Sequence, residues 1–304
     1  MGLLRRLFVN PFGLLIVIWL VGVGVLHVTQ IRHNRLPLDL NALAPAGEAP
    51  PPGTLLATTL ATIMRHELAG IGWRPNDFIL WGPRVLADNN ANRQLGILQA
   101  VRRTVQVMKE HLTKISSDPY DGNLEKADNA FRYDEWRFFY PTAEGRYGIG
   151  IQHLDDYVHG LKPEIQSSKP LTLRNMELLR LFQAWSDMLG DAHANLYRTE
   201  LDGHRIRPWE NDDLFYHAQG YAHVMAACLR ALQREYARSF AERAVLPALI
   251  EEIAQSLERA AQLKPIIVLD GRDSGLAANH RRNLDVYIAE ARQKLYTVKE
   301  ELEK

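Results

Sequence analysis

Between Phe131 and Tyr147 (FRYDEWRFFYPTAEGRY) seven aromatic residues occupy seventeen positions, in a chain whose overall aromatic content is 9%. Asp134, Glu135 and Glu144 interleave with them, as do Arg132, Arg137 and Arg146. Aromatic faces stack on sugar rings, and a pair of carboxylates is what glycosidic bond cleavage uses. Trp136, Phe138, Tyr140 and Tyr147 are therefore the candidate ligand-binding residues. Glu135 and Glu144 are the acid and base of an alternative, hydrolytic reading. The plainer reading is a long loop pinned to the rest of the chain by its aromatics, because such side chains dominate core and interface packing. It places at least Trp136 in the interior, since many exposed aromatics together invite association.

The other arrangements with chemical potential are incomplete. His153, Asp156 and His159 fall within an arc of about 120° on a helix, close enough for two of them to share a cation. The helix-bundle metal proteins, however, use Glu-x-x-His motifs, and this chain contains none. No metal and no cofactor is expected. Asp213 and His217 stand at i, i+4, but Asp213 reads more simply as an acidic residue placed where a helix N-terminal dipole favours it. Asp118-Pro119-Tyr120-Asp121-Gly122 fails as a calcium loop: with Gly122 at position 6, Pro119 occupies position 3 and Asp128 position 12. Gly-x-Ser-x-Gly, Ser-x-x-Lys, His-Glu-x-x-His and Walker sequences are absent. The single cysteine, Cys228, lies on an apolar stripe and reads as a small buried hydrophobe. Asn89, Asn90 and Asn92 would form a polar pocket with Asp88 and Arg93, or, more simply, cap the helix that follows them.

Positioning these residues falls to a chain of 304 residues with 36 basic and 36 acidic side chains. A net charge of zero and the lack of a basic stripe argue against a nucleic-acid partner. One cysteine excludes an intramolecular disulfide framework.

Phe12 to Val28 is free of formal charge and spans about 26 Å as a helix, the short end of a membrane-crossing segment. Asn10 suits the cap and Pro11 the first turn. No small-x-small cleavage pattern follows closely, so the segment is expected to stay attached as an anchor in the lipid bilayer. Arg5 and Arg6 on one flank nearly balance Arg32 and Arg35 on the other. The short N-terminal tail favours a cytoplasmic residue 1–11 and a periplasmic body. Residues 29–53 form a linker; from residue 36 onward it carries five prolines and two glycines, the composition of an extended spacer.

Residues 54–304 read as an all-α, bundle-like body. Leu98, Val101, Val105, Met108, Leu112 and Ile115 recur at helical spacing, as do Leu214 to Leu232 and Leu284 to Leu302. Further helices are expected over 172–199 and 242–263, with shorter ones over 55–69, 123–131 and 147–161. Ile266 to Leu269 is the one apolar run that reads as a strand.

Gly72-Trp73-Arg74-Pro75-Asn76-Asp77, the stretch Asp88 to Gly96, and Trp136, Tyr140-Pro141, Glu144 and Tyr147 carry a resemblance. On them most of the body resembles a bacterial family of single-pass membrane proteins defined only as a domain of unknown function. The resemblance implies a Gram-negative envelope protein and supplies neither an activity nor site residues. The function expected is non-enzymatic: an inner-membrane-anchored body that binds another envelope component, most simply a protein. The alternative is a binder or hydrolase of the peptidoglycan glycan that uses residues 131–147.

Overall fold

The computed structural model describes residues 10–33, 50–70, 72–77, 88–113, 118–172, 174–201, 203–207, 210–241, 245–263, 265, 268 and 279–303. Helix α1 (Pro11–His33) opens with the Asn10 carboxamide accepting from the Phe12 amide at 3.0 Å. The body then runs α2 (Thr54–Leu68), α3 (Asn89–Val107), a π-helical turn (Met108–Leu112), α4 (Gly122–Phe131), α5 (Ala143–Gly160) and α6 (Asn175–Tyr197). A two-residue antiparallel pair, β1 (Glu200–Leu201) with β2 (His204–Arg205), leads into α7 (Asn211–Glu235). After it come α8 (Ala237–Ala241), α9 (Leu246–Gln262) and α10 (His280–Glu303).

The apolar stripes account for the core. Val101, Val105 and Met108 of the first stripe are fully buried, as are Met225, Cys228 and Leu232 of the second and Leu284, Ile288 and Leu295 of the third. Burial also pushes the Cys228 thiol up, which suits an inert packing role. Ile115 lies outside the described residues, and so does the expected strand apart from Val268, which is buried. The short β pair was not anticipated; a two-residue ladder offers no alternating run to detect.

Helices α3 and α7 form the central pair, and glycines let them touch. A Cβ at Gly96 would overlap the His217 carbonyl oxygen, and one at Gly220 would overlap the Arg93 carbonyl oxygen. Helix α10 packs on α6 and α9 on one side, while α5 packs on α2 and α4 on the other. Caps fix several entries. Asp121 accepts from the Asn123 and Leu124 amides at 3.0 and 3.1 Å, so the sequence around it begins α4. Thr142 accepts from the Gly145 amide at 3.2 Å and begins α5.

Helix α2 is capped from elsewhere in the chain. Its N-cap residue, Gly53, has no side chain to offer, and the Glu235 carboxylate at the end of α7 accepts from the Leu55 amide at 3.2 Å. Burial there pushes the Glu235 carboxyl up to about 7. The Leu171 amide donates to the Pro52 carbonyl at 3.0 Å, and so the end of the linker is stitched to the body on two sides.

Among the described residues no helix is long and apolar enough to cross a membrane. In α1 the continuous run of described side chains ends at Val25, roughly 22 Å from Pro11 at 1.5 Å per residue. Phe12, Leu15, Ile18, Val21 and Val25 are all more than half exposed along that run.

Candidate functional site

The three stretches that are most distinctive in the sequence meet at one end of the α3/α7 pair. Trp73, 1% exposed, lies between them. Its indole Nε1 donates to the Glu135 carbonyl at 2.9 Å, and its ring meets Tyr147 edge-on with centroids 5.1 Å apart. Asn76 donates to the Arg137 carbonyl at 2.9 Å and to the Glu144 carboxylate at 3.1 Å. Gln94 of α3, fully buried, donates to the carbonyls of Glu67 and Gly72, both at 3.1 Å, and accepts from the Arg74 amide at 2.8 Å. A single glutamine thereby ties the end of α2 and the segment after it to α3.

Arg102 grips the aromatic segment from α3. Its guanidinium donates to the carbonyls of Phe131 and Tyr133, to the Glu135 carboxylate at 2.9 Å and to the Tyr147 hydroxyl at 3.4 Å. The Tyr147 hydroxyl in turn donates to the Tyr133 carbonyl at 3.1 Å, and burial raises its pKa well above the usual phenol value. Tyr133 donates to the Pro141 carbonyl at 2.9 Å, and the Ala143 amide to the Arg137 carbonyl at 3.0 Å. The loop between α4 and α5 is thus braced at alternate carbonyls from Phe131 to Arg137 and again at Pro141 and Ala143.

That bracing corrects the expectation for Trp136. Tyr147 is buried, but Trp136 is 45% exposed, Phe138 50%, Phe139 75% and Tyr140 91%. The physical reason is Trp73: it fills the space beneath the loop and takes the Glu135 carbonyl as its partner, leaving the later aromatics on the outside. Glu135 is ion-paired with Arg102, and Glu144 is held by Asn76, so both carboxylates serve the bracing. A cavity of about 340 Å³ opens between α3 and α6 with Arg102 on its rim; neither Glu135, Glu144 nor Trp136 lines it.

The asparagines are not caps. Helix α3 begins at Asn89 itself, its N-cap residue Asp88 makes no side-chain cap bond, and Asn92 donates to Asp213 at 2.5 Å and to the Asp88 carbonyl at 3.3 Å. Contact with the start of α7 outweighs local capping. The N-termini of α3 and α7 bring Asp88, Asp212 and Asp213 together. Burial, then the Asp88 charge, pushes Asp212 up to about 6 and Asp213 up to about 7. His153 stands 3.7 Å from Asp156, and among the described residues no group of three His, Cys, Asp or Glu converges on a metal position.

A raised folded-state pKa means that the fold prefers Asp213 protonated. Its contribution is full below the ordinary carboxylate value and is lost as pH rises through about 7. Asp213→Asn keeps the acceptor for Asn92 and removes the charge. The variant is expected to gain about 1 kcal/mol over the parent at pH 8, a figure discounted for solvent screening, and only about 0.4 kcal/mol at pH 5, nearer the ordinary carboxylate value below which the gain vanishes. Thermal melts at the two pH values check this; an equal difference at both would refute the assignment.

No curated protein and no solved structure matches the chain significantly. A family model does, over residues 13–200 and 182–304, which include the buried tryptophan, the asparagine-rich start of α3 and the braced aromatic loop. The chain belongs to the family DUF2333, described as an uncharacterized protein conserved in bacteria.

Proposed function

We propose that this is a membrane-anchored, non-enzymatic binding protein of the bacterial envelope, in which the loop between α4 and α5 is the contact face for another envelope protein. The observation that carries the reading is the row Trp136, Phe138, Phe139 and Tyr140, each 45% exposed or more, on a backbone held from within by Trp73, Asn76 and Arg102. Exposed aromatics on a rigid support lose little entropy on binding, and such residues supply most of the energy at protein interfaces. The uncharged run from Phe12 to Val28 within α1 supports an anchor in the bilayer. In this reading the body is periplasmic. The same aromatic faces also suit sugar rings, which keeps peptidoglycan as a second reading. As an acid–base pair Glu135 and Glu144 have less support, since both are engaged by donors of the protein itself.

The test is site-specific photocrosslinking in cells at position 139, with the full-length chain. A discrete protein adduct is expected, together with its loss in Trp136→Ala/Tyr140→Ala. Those changes are expected to leave the urea midpoint within about 0.5 kcal/mol, as at other surface positions, and to weaken partner binding at least tenfold. Sedimentation with purified peptidoglycan that depends on Trp136, with no protein adduct, would replace the protein reading by the glycan one. A phosphatase active only outside the cytoplasm, fused after Lys304, is expected to be active; an inactive fusion would overturn the periplasmic placement.

A further inference from the structure

The cavity between α3 and α6 carries opposite charges that do not neutralise one another. Its volume of about 340 Å³ falls within the range of small-molecule sites, about 300 to 1,000 Å³. Arg103 lies on the α3 wall, and Asp187, Met188 and Asp191 form the α6 wall. The two other arginines at the rim are already engaged, Arg102 with Glu135 at 2.9 Å and Arg132 with Asp128 at 2.8 Å. Arg103 makes one hydrogen bond, to the Gln106 side chain at 3.0 Å, and among the described residues it has no ion pair. Asp187 accepts from Gln183 at 2.6 Å and likewise has no ion pair, while Asp191 has neither a hydrogen bond nor an ion pair among the described residues. The site is therefore lined by one guanidinium and two exposed carboxylates that have no protein counter-ion among the described residues.

We infer that this cavity binds a small ligand bearing one carboxylate and two ammonium groups, the chemistry of a basic amino acid. Its carboxylate meets the planar fork of Arg103, which suits a bidentate pair. Asp187 and Asp191 stand one turn apart on the exposed face of α6, so their two flexible carboxylates can each take one ammonium group of a ligand lying along the helix. Met188, buried between them, supplies an apolar surface for the methylene chain. The cavity shares Arg102 and Arg132 with the base of the aromatic loop, but Arg103, Asp187 and Asp191 are no part of the proposed interface, so the two readings are tested by different variants.

The test uses the full chain in detergent micelles, with L-lysine as the probe and saturation-transfer NMR as the readout. Saturable binding with a Kd of about 1 mM or tighter is expected. Arg103→Gln and Asp191→Asn are each expected to weaken it about tenfold, the size of one charge-assisted contact. 1,5-Diaminopentane, which lacks the carboxylate, and norleucine, which lacks the ε-ammonium group, should bind at least tenfold less tightly. Should Arg103→Gln fail to fold, Asp191→Asn, at an exposed position, carries the same test. No saturable signal up to about 10 mM, norleucine binding as well as lysine, or variants binding as well as the parent would overturn the assignment.

Discussion

Trp73→Ala is expected to cost the body about 3 to 5 kcal/mol, through lost transfer energy and the cavity left behind. The indole is 1% exposed, its Nε1 holds the Glu135 carbonyl at 2.9 Å, and its edge-on contact with Tyr147 adds to the burial. The same change withdraws the floor under the aromatic loop, so partner binding should fall along with stability. Trp73→Phe separates the two effects, because it keeps most of the packing and removes the hydrogen bond; a loss of about 1 kcal/mol is expected for it. Urea melts of both variants beside Trp136→Ala give the comparison. If Trp136→Ala cost as much as Trp73→Ala, the division between a buried support and an exposed platform would be wrong.

Arg93→Met is expected to cost about as much, 3 to 5 kcal/mol, for an electrostatic reason. Arg93 on α3 is 4% exposed and lies 2.9 Å from the carboxylate of Glu67 on α2, which is fully buried. Taking away the guanidinium removes the positive charge beside a carboxylate in a low-dielectric interior, where such a loss is costly. The double variant Arg93→Met/Glu67→Met removes both charges and should recover most of the loss. A double-mutant cycle by denaturant melts measures this. A single variant costing under about 1 kcal/mol, or a double variant costing the sum of the singles, would contradict the pairing.

The helices were legible because their apolar periodicity runs for several turns: the stripes at Leu98, Leu214 and Leu284 each mark a helix whose buried face they form. The caps at Asp121 and Thr142 set helix starts that apolar periodicity does not: α5 begins at Ala143, four residues before the expected start at 147. The site was less legible. Enrichment in aromatics locates the loop but carries no sign of which rings turn inward, and that choice was settled by Trp73, 58 positions before Phe131 in the chain. The trio of Trp73, Gln94 and Arg102 lacks any periodic signature, since each makes its bonds to backbone carbonyls or amides of distant segments. The asparagines misled for a related reason: a local cap and a bond across to another helix use the same side chain, and only the arrival of Asp213 decides between them.

The cap that Glu235 places on α2 has a mechanical consequence. Tension along the segment before Gly53 would not simply unravel α2 from its first turn, because that turn is bonded to the far end of α7 and the preceding Pro52 is bonded to Leu171. The load enters the body at three points of the chain together: the first turn of α2, the end of α7 and Leu171. A pull on Pro52 is thereby shared among segments more than a hundred residues apart in the chain.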